Sequence, residues 1–439
     1  MKRIISLIII LLTVTIFPQQ KLTLEESLSL GLQNSKNLKI SKSKTLGSAA
    51  KVTETTSYLL PKLSLNAGYT RLSDVPPFEV TLPITIPPKT VKIEDIVLNN
   101  YSVKLSLQQP LFTGFKLMSL RTSAEDSRKA FSADYNRDAN EEAFIIINAF
   151  WNYYKAISLK DLIDDNIKQI EAHLTDTKNF LKNDLVTKND LLKIEVQYSS
   201  LQLKQIEADN NLNTARAMFN KALGLQINAP TEIDVKSIST DIVKFSYDSL
   251  LNSALTKRAE LKAIDYRVQA GKENVRAASS TWYPSVYLFT DYYYNRPNQR
   301  FMPTVDEFKD TWDAGVTLSW DIWNWGYNSS QTEQAQQNLN QLSTNKEILK
   351  ENIEVEVYNN YLSLTAALNK IHVAQTGVDE AEENYKEIKD KYNVQYATST
   401  DLIDAETSRI QSRTDLITAQ ADYETALTRL LKSAGDKIY

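Results

Sequence analysis

The 439-residue chain contains no cysteine, and that absence excludes several kinds of site at once. Without thiols there is no disulfide framework, no thiolate metal site and no lipid-modified cysteine. His173 and His372 are the only two histidines, and neither has a metal-ligand spacing. A glycine-rich phosphate loop and a nucleophile elbow are absent from the sequence as well. We therefore predict that the protein is not an enzyme and that it needs no metal and no cofactor.

Long apolar runs are also scarce. Only the N-terminus has one: Lys2 and Arg3 precede an apolar stretch from Ile4 to Phe17. A basic start followed by an apolar run too short to span a bilayer predicts a signal peptide over residues 1–20. Without Lys2 and Arg3, 48 basic residues face 54 acidic ones, and no basic patch stands out. Nucleic acid is therefore not an expected partner.

Proline is missing from two long segments. None occurs between Phe115 and Ala229 or between Thr304 and Tyr439, whereas five of the twelve lie between Pro76 and Pro88. Helix interiors exclude proline, because it lacks the amide donor and clashes with the preceding turn. The sequence therefore predicts two very long helical regions. A continuous helix from Phe115 to Leu181 would be about 100 Å long at 1.5 Å per residue.

These helical regions carry a seven-residue repeat of apolar and small side chains. One column comprises Ile194, Leu201, Ala208, Ala215 and Ala222, and its counterpart comprises Ala405, Ser412, Ala419, Ala426 and Ser433. A sustained repeat of this period predicts helices that coil around one another, and small residues let their backbones approach closely.

The chain also repeats itself as a whole. A shift of 211 residues aligns the sequence from Leu107 to the C-terminus, and a shift of 223 aligns the part before it. A period this long indicates one duplicated structural unit rather than a short stacking repeat. We predict a first repeat over residues 21–224, a linker or equatorial segment over 225–245 and a second repeat over 246–439.

Four short segments alternate between apolar and polar residues, which predicts strands with one apolar face. They lie at about 62–71, 101–110, 285–294 and 313–322. The third is less regular, because Tyr287, Phe289 and Tyr293 occupy the face that should be polar.

Each predicted strand has the length that a tilted strand needs to cross a membrane. Aromatic residues near the strand ends are typical of membrane interfaces. Those predicted to contact lipid at a membrane interface are Tyr69, Tyr101, Trp282, Trp312, Trp320, Trp323 and Trp325. Four strands alone would leave open edges in lipid, so other copies of the chain must complete a barrel. The alternative is a soluble hairpin domain that packs its aromatic residues on its own helices.

Several motifs, found in order and in both repeats, resemble the TolC family of trimeric outer-membrane efflux proteins. They include the helix-to-strand junctions Tyr58–Leu63 and Trp282–Val286 and the strand-to-helix returns Pro110–Phe115 and Asp321–Gly326. The resemblance implies a mainly α fold with transmembrane β-structure, in which long coiled-coil helices form a periplasmic α-barrel. It also implies a homotrimer whose four strands per chain form a 12-stranded β-barrel.

The resemblance assigns roles to two helical turns at about 184–190 and 395–401. In the family such tips meet the periplasmic adaptor, which implies contacts from Leu185, Val186, Thr187, Tyr396, Ala397 and Thr398. Thr187 or Asn189 and Thr398 or Thr400 are candidate caps of the following helices. Both turns depart from the family by placing Asp184 and Gln395 where it has a glycine.

The segment Asp401–Ala405 is similar to the one that narrows the family's channel entrance. Asp401 and Asp404 are three residues apart on one helix face, so a trimer would bring six carboxylates around its axis and favour cations. Outside the resemblance, a solvated helix face is the simpler interpretation of such a pair.

Tyr392 and Asp190 match family positions that link neighbouring hairpins in the closed entrance. Ala397 stands where the family has a tip arginine, so closure must use other contacts.

The predicted function is a passive outer-membrane exit duct of a tripartite efflux or type I secretion system. Its partners would be a periplasmic adaptor (membrane fusion protein) and an inner-membrane pump. A soluble periplasmic coiled-coil scaffold or adaptor is the alternative. The cargo stays open among drugs, metal ions and polypeptides.

Overall fold

A computed structural model describes residues 21–76, 78–84, 86–94, 97–235 and 245–439 of the chain. The predicted signal peptide and residues 236–244 of the predicted linker lie outside these ranges.

Eight α-helices and six β-strands are formed by the described residues. The helices are α1 (Leu24–Asn34), α2 (Lys36–Ser57), α3 (Lys116–Lys182), α4 (Lys188–Leu223), α5 (Tyr247–Lys257), α6 (Ala259–Ser279), α7 (Tyr327–Asn393) and α8 (Ser399–Ser433). The strands are β1 (Lys62–Arg71), β2 (Phe78–Leu82), β3 (Lys89–Glu94), β4 (Asn99–Thr113), β5 (Ser285–Arg296) and β6 (Lys309–Ser319). Within these ranges no helix is both long and apolar enough to cross a membrane.

The elements follow the sequence repeat residue by residue. Helices α3 and α7 are each 67 residues long, and both ends of α7 lie 211 residues beyond those of α3. Helices α1 and α5 have 11 residues each and begin 223 residues apart. The absence of proline explains why α3 and α7 continue unbroken, since no residue removes a backbone donor within them.

The chain divides into two compact units, and each takes residues from both repeats. Unit 1 consists of the described residues within 21–42, 134–261 and 349–439, and unit 2 of those within 43–133 and 262–348.

The main apolar core of unit 1 lies between α3 and α4. Phe150, Phe219 and Leu223 are almost completely buried there, and α1 packs against the same cluster. The contact with α1 is close: a Cβ added at Gly31 would lie 2.5 Å from Cδ1 of Ile146. A side chain at position 31 would therefore push α1 away from the core.

Unit 2 contains an antiparallel sheet of four strands in the order β1-β4-β5-β6. The register puts apolar residues opposite one another on one face, as in the pairs Leu65–Leu105 and Tyr292–Trp312. Serine and charged residues pair on the other face, as in Ser106–Asp291. Strands β1 and β6 are the two edges, so each has one side without a partner in this sheet.

Two features of the strands differ from the sequence prediction. The predicted strand 313–322 begins earlier and ends at Ser319, because β5 starts at Ser285 and Ser319 is the last residue with a partner there. Residues 78–82 and 89–94 form an additional antiparallel hairpin of β2 and β3, in the proline-rich segment where the sequence had predicted no strand. The hairpin is possible because Pro83, Pro87 and Pro88 lie in its turn.

The irregular pattern of β5 has a structural explanation. Tyr287, Phe289 and Tyr293 do lie on the polar face, where Phe289 covers Gly315. A Cβ at Gly315 would lie 2.8 Å from the ring, so only glycine leaves room for it. The ring of Phe289 therefore lies against the sheet on its polar face.

The two helical tips contain a left-handed residue at equivalent positions. Asp184 has φ 55° and Gln395 has φ 65°, and these are the residues that replace the family's glycine. A left-handed backbone costs an L-residue roughly 1–2 kcal/mol, with Asp tolerated better than Gln. The tips therefore keep the geometry of a glycine turn without the glycine.

Replacing Gln395 by Gly should stabilise the second tip by about 1 kcal/mol, because glycine adopts a positive φ without strain. The thermal unfolding midpoint of the purified protein in detergent should rise accordingly. The matched variant Asp184→Gly should give a smaller rise. A lower midpoint for Gln395→Gly would contradict this explanation of the turn.

Candidate functional site

The two tips begin their ascending helices with the same cap. Thr187 accepts a hydrogen bond from the backbone N–H of Asp190 at 3.2 Å, and Asp190 accepts one from the N–H of Thr187 at 3.0 Å. Thr398 and Asp401 repeat this reciprocal arrangement at 3.2 and 2.8 Å. Of the candidate caps, Thr187 and Thr398 therefore serve, and Asn189 and Thr400 do not. Such caps contribute about 1 kcal/mol each.

The three aspartates predicted to form a gate occupy two different environments. Asp190 and Asp401 are the acidic members of the caps, and hydrogen bonds from Thr187 and Thr398 lower the pKa of their carboxyl groups. Asp404 is exposed and makes no hydrogen bond or ion pair with any described residue. The carboxylate of Asp401 is therefore held by the turn, whereas that of Asp404 is available to solvent and to ions.

Tyr392 lies inside the protein rather than at its surface. It packs with Tyr385, Leu402 and Ala405 in a buried cluster between α7 and α8. Its hydroxyl lies 3.3 Å from the hydroxyl of Thr177 on α3. The side chain therefore connects the first and second hairpins within the chain, and it does not contact Asp190.

The remaining tip residues divide by exposure. Leu185 is half exposed and Tyr396 is 87% exposed, while Val186 and Ala397 are partly buried. Large exposed apolar side chains of this kind are typical of contact surfaces.

A groove beside the tips was not predicted from the sequence. It has a volume of about 380 Å³ and lies between the N-terminal turns of α4 and α8. Its lining consists of Asn189, Leu192, Lys193, Val196, Thr400 and Ile403. Lys193 bridges the two helices by donating to the Thr400 hydroxyl at 2.8 Å. The sequence feature that could have indicated this groove is the apolar pair Leu192 and Val196. These two residues are one helical turn apart and lie outside the buried seven-residue column of α4.

Beyond the apolar cluster, α3, α7 and α8 enclose a polar cluster that was also missed. Arg409 lies with its guanidinium 3.8 Å from the ring centroid of Tyr385, and it donates to Gln169 of α3. Glu406 is completely buried, and neither of its carboxylate oxygens accepts a hydrogen bond from a described residue. The hydroxyl of Tyr385 and Nδ1 of His173 are also buried, and neither has a hydrogen-bond partner among the described residues. A charged or polar group buried in this way is costly, so these groups destabilise the packing of the hairpins here.

Two titratable groups of this polar cluster are shifted in opposite directions. Burial raises the pKa of Glu406, and the nearby charges of Arg409 and Lys389 oppose that shift without cancelling it. Burial lowers the pKa of His173, with a further contribution from Lys389. Both groups therefore favour their neutral forms where the hairpins pack. The sequence feature that could have drawn attention to Glu406 is the repeat, which aligns it with Glu195.

The predicted interface aromatics lie in two groups at opposite ends of the sheet. Tyr69, Tyr101 and Trp312 belong to one end, where the rings of the two tyrosines lie 5.0 Å apart. The other group, around the junctions with the helices, comprises Trp282, Trp320, Trp323 and Trp325. Trp312, Trp323 and Trp325 are each at least 70% exposed. Correcting the strand bounds from 313–322 places Trp320 after β6 rather than in it, and it places Trp312 within the strand.

The described part of the chain contains no group of three or more acidic or histidine side chains that could hold a metal ion.

The sequence matches the family described as outer membrane efflux protein over residues 28–225 and 250–436. The outer membrane protein TolC of Vibrio cholerae is 22% identical over 390 residues, which cover 88% of this chain and 84% of that protein. A solved structure of CusC has a TM-score of 0.79 at 14% identity, with 94% of this chain and 92% of that chain covered. The structure of VceC from Vibrio cholerae has a TM-score of 0.77 at 15% identity and coverages of 95% and 97%.

The buried Glu406 predicts a pH-dependent stability. Because its pKa is raised from the ordinary 4.5, the folded state takes up a proton. Its contribution is therefore fully present in acid and is lost as the pH rises through the raised pKa. The thermal unfolding midpoint of the protein should fall over that range relative to Glu406→Gln, in which the group cannot ionise.

Comparing the two pH profiles removes the opposite contribution of His173, which both proteins share. Glu195→Gln, at the equivalent but only half-buried position of the first hairpin, is the control and should follow the wild-type profile. Parallel profiles for the wild type and Glu406→Gln would refute the assignment.

Proposed function

Because the chain belongs to the outer membrane efflux protein family, we propose that three copies assemble into a passive exit duct that an adaptor and an inner-membrane pump engage. Family membership confirms the predicted fold class, the outer-membrane location with a periplasmic helical tunnel, and the interpretation as an efflux channel. It also decides against the soluble scaffold. The trimer, the entrance gate and the docking partners are the proposed parts.

One observation supports assembly with other copies of the chain: the four-stranded sheet has two open edges and an apolar face. The number of three copies follows the family resemblance. The backbone groups at the free sides of β1 and β6 have no partner within this sheet. In lipid each unpaired group would cost several kcal/mol, so the edges must meet those of other copies. Three copies would give twelve strands, which closes the barrel and removes every edge.

The charges of the sheet indicate which face is directed to the interior of the barrel. Lys104 and Asp291 form an ion pair of 2.8 Å near the middle of β4 and β5, on the polar face. A lysine at the lipid-facing midplane of a barrel costs about 2–4 kcal/mol. The polar face therefore lines the duct, and the apolar face with its two groups of aromatic residues contacts lipid.

For the entrance we propose that Asp404 provides the ion-binding carboxylate and that Asp401 mainly maintains the tip. Asp401 is held by Thr398, whereas Asp404 is free and exposed. The repeat makes the comparison sharp, since the equivalent of Asp404 in the first hairpin is Lys193. Three chains would thus present three free Asp404 carboxylates, and a ring of carboxylates attracts cations.

For docking we propose that the adaptor contacts the exposed tip residues Leu185 and Tyr396 and the neighbouring groove. The groove is apolar at Leu192, Val196 and Ile403, and its walls come from both hairpins. A partner that inserts a side chain there would therefore contact both hairpins at once. The residues Val186, Thr187, Ala397 and Thr398 would then hold the tips in shape rather than supply binding energy.

Substitution of Asp404 by Asn should weaken block of the duct by multivalent cations added on the periplasmic side. Three charges act together on one ion, so the blocking concentration should rise about tenfold. Single-channel recordings in planar bilayers measure this directly.

Lys193→Gln is the matched control, because it changes a charge at the equivalent position of the other hairpin and should not weaken the block. Asp401→Asn should lower the unfolding midpoint more than Asp404→Asn does, since it removes a cap. Unchanged block in Asp404→Asn channels that still conduct would eliminate Asp404 as the gate.

A further inference from the structure

The first part of the segment between β5 and β6, from Pro297 to Arg300, is folded onto the polar face of the sheet. Asn298 is 2% exposed and donates to the backbone carbonyl of Lys309 at 3.1 Å and to the Thr311 hydroxyl at 3.2 Å. Its side-chain carbonyl accepts from the backbone N–H of Arg300 at 3.0 Å. These hydrogen bonds turn the chain at Asn298, so that Arg300 lies over the polar face of the sheet.

Arg300 attaches this segment to residues of the polar face. Its guanidinium donates to the carboxylate of Asp313 and, at 3.3 Å, to the carbonyl of Trp312. It also lies 5.1 Å from the ring centroid of Tyr293, a residue of the same face. The ion pair and the aromatic contact together hold the segment against the wall of the sheet.

A polar groove of about 460 Å³ lies beneath the segment. It is lined by Pro297 to Arg300 from the segment and by side chains of the polar face that include Thr70, Ser102 and Asn295. The side-chain carbonyl of Asn295 is buried without a partner among the described residues. Since these residues come from β1, β4 and β5, the segment extends across the sheet and does not project away from its end.

We propose that the start of this segment, from Pro297 to Arg300 and held by Arg300, forms an outer constriction of the duct that limits the size of what passes. This rests on the trimeric barrel proposed above, whose polar face is the interior. Eight strands leave room only for side chains and sixteen leave an open channel, so twelve give an interior of intermediate width. Three inward segments, one from each chain, would narrow it substantially.

Arg296 provides an internal comparison at the same segment. It pairs with Asp306 at 2.8 Å and lies over the rings of Tyr101 and Phe308. In the strand register Arg296 is directly opposite Tyr101, on the apolar face. The two arginines thus have similar partners but lie on opposite faces of the sheet. Only Arg300 lies on the face that is proposed to line the duct.

The absence of cysteine makes a direct test possible. Asn66 is exposed on the polar face opposite Lys104, four residues further from the outer end than Thr70. In Asn66→Cys the new thiol is the only one in the chain. Intact cells would be treated with two membrane-impermeant thiol reagents, a small methanethiosulfonate and a maleimide carried on a polyethylene glycol chain.

The measured quantity is the labelling rate with the bulky reagent divided by the rate with the small one. Arg300→Ala and Asp313→Asn both remove the ion pair that attaches the segment to the sheet. The first variant removes a positive charge, and the second removes a negative charge. Both should raise the ratio several-fold, and Arg296→Ala should leave it unchanged. The exchange Arg300→Asp with Asp313→Arg restores the pair and should return the ratio toward that of the parent.

An unchanged ratio in both Arg300→Ala and Asp313→Asn would contradict the proposed constriction but not the proposed duct. Opposite changes in the two variants would overturn it as well, because charge and not width would then govern entry. If the small reagent fails to label Asn66→Cys in outer membranes that contain the protein, the position is not in a lumen. In that case the proposed duct fails together with this inference.

Discussion

The pairing of the backbone at the two edges of the sheet is the constraint on which the rest of the molecule depends. A four-stranded sheet with an apolar face can enter a membrane only if β1 and β6 find partners. In the proposed assembly other copies of the same chain supply them, and the closed barrel then defines an interior and a lipid-facing surface. This closure determines the roles that we propose for the polar face, the two groups of aromatic residues and the inward segment between β5 and β6.

Duplication gives each chain two similar hairpins, and their differences carry the function. Glu195 and Glu406 occupy equivalent positions, yet only Glu406 is completely buried. Lys193 stands where the second hairpin has Asp404. The second hairpin therefore combines a free carboxylate near its tip with the completely buried Glu406, and the first hairpin has neither. In the proposed gate, the cost of burying Glu406 without a partner would lower the cost of separating the hairpins.

Much of the fold could be predicted from the sequence because two periodic signals are strong. Absence of proline placed α3 within one residue of its observed ends, since proline acts through local backbone chemistry, and the 211-residue shift predicted a matching long helix in the second repeat. The alternation of β1 was equally clear. The end of β6 was misplaced because Trp320 and Ile322 continue its pattern after its partner strand has ended. The hairpin of β2 and β3 was missed because its prolines lie in the turn rather than in the strands.

The candidate site was less accessible to sequence reasoning. Asp401 and Asp404 look alike in sequence, and only the hydrogen bonds of Thr398 distinguish them. The burial of Glu406 depends on how α3, α7 and α8 meet, which no local pattern encodes. The account rests most heavily on the edges of the sheet, and the mass of the detergent-extracted protein by native mass spectrometry tests it most directly. We predict three chains in the assembly, and a stable single chain or a dimer would contradict it.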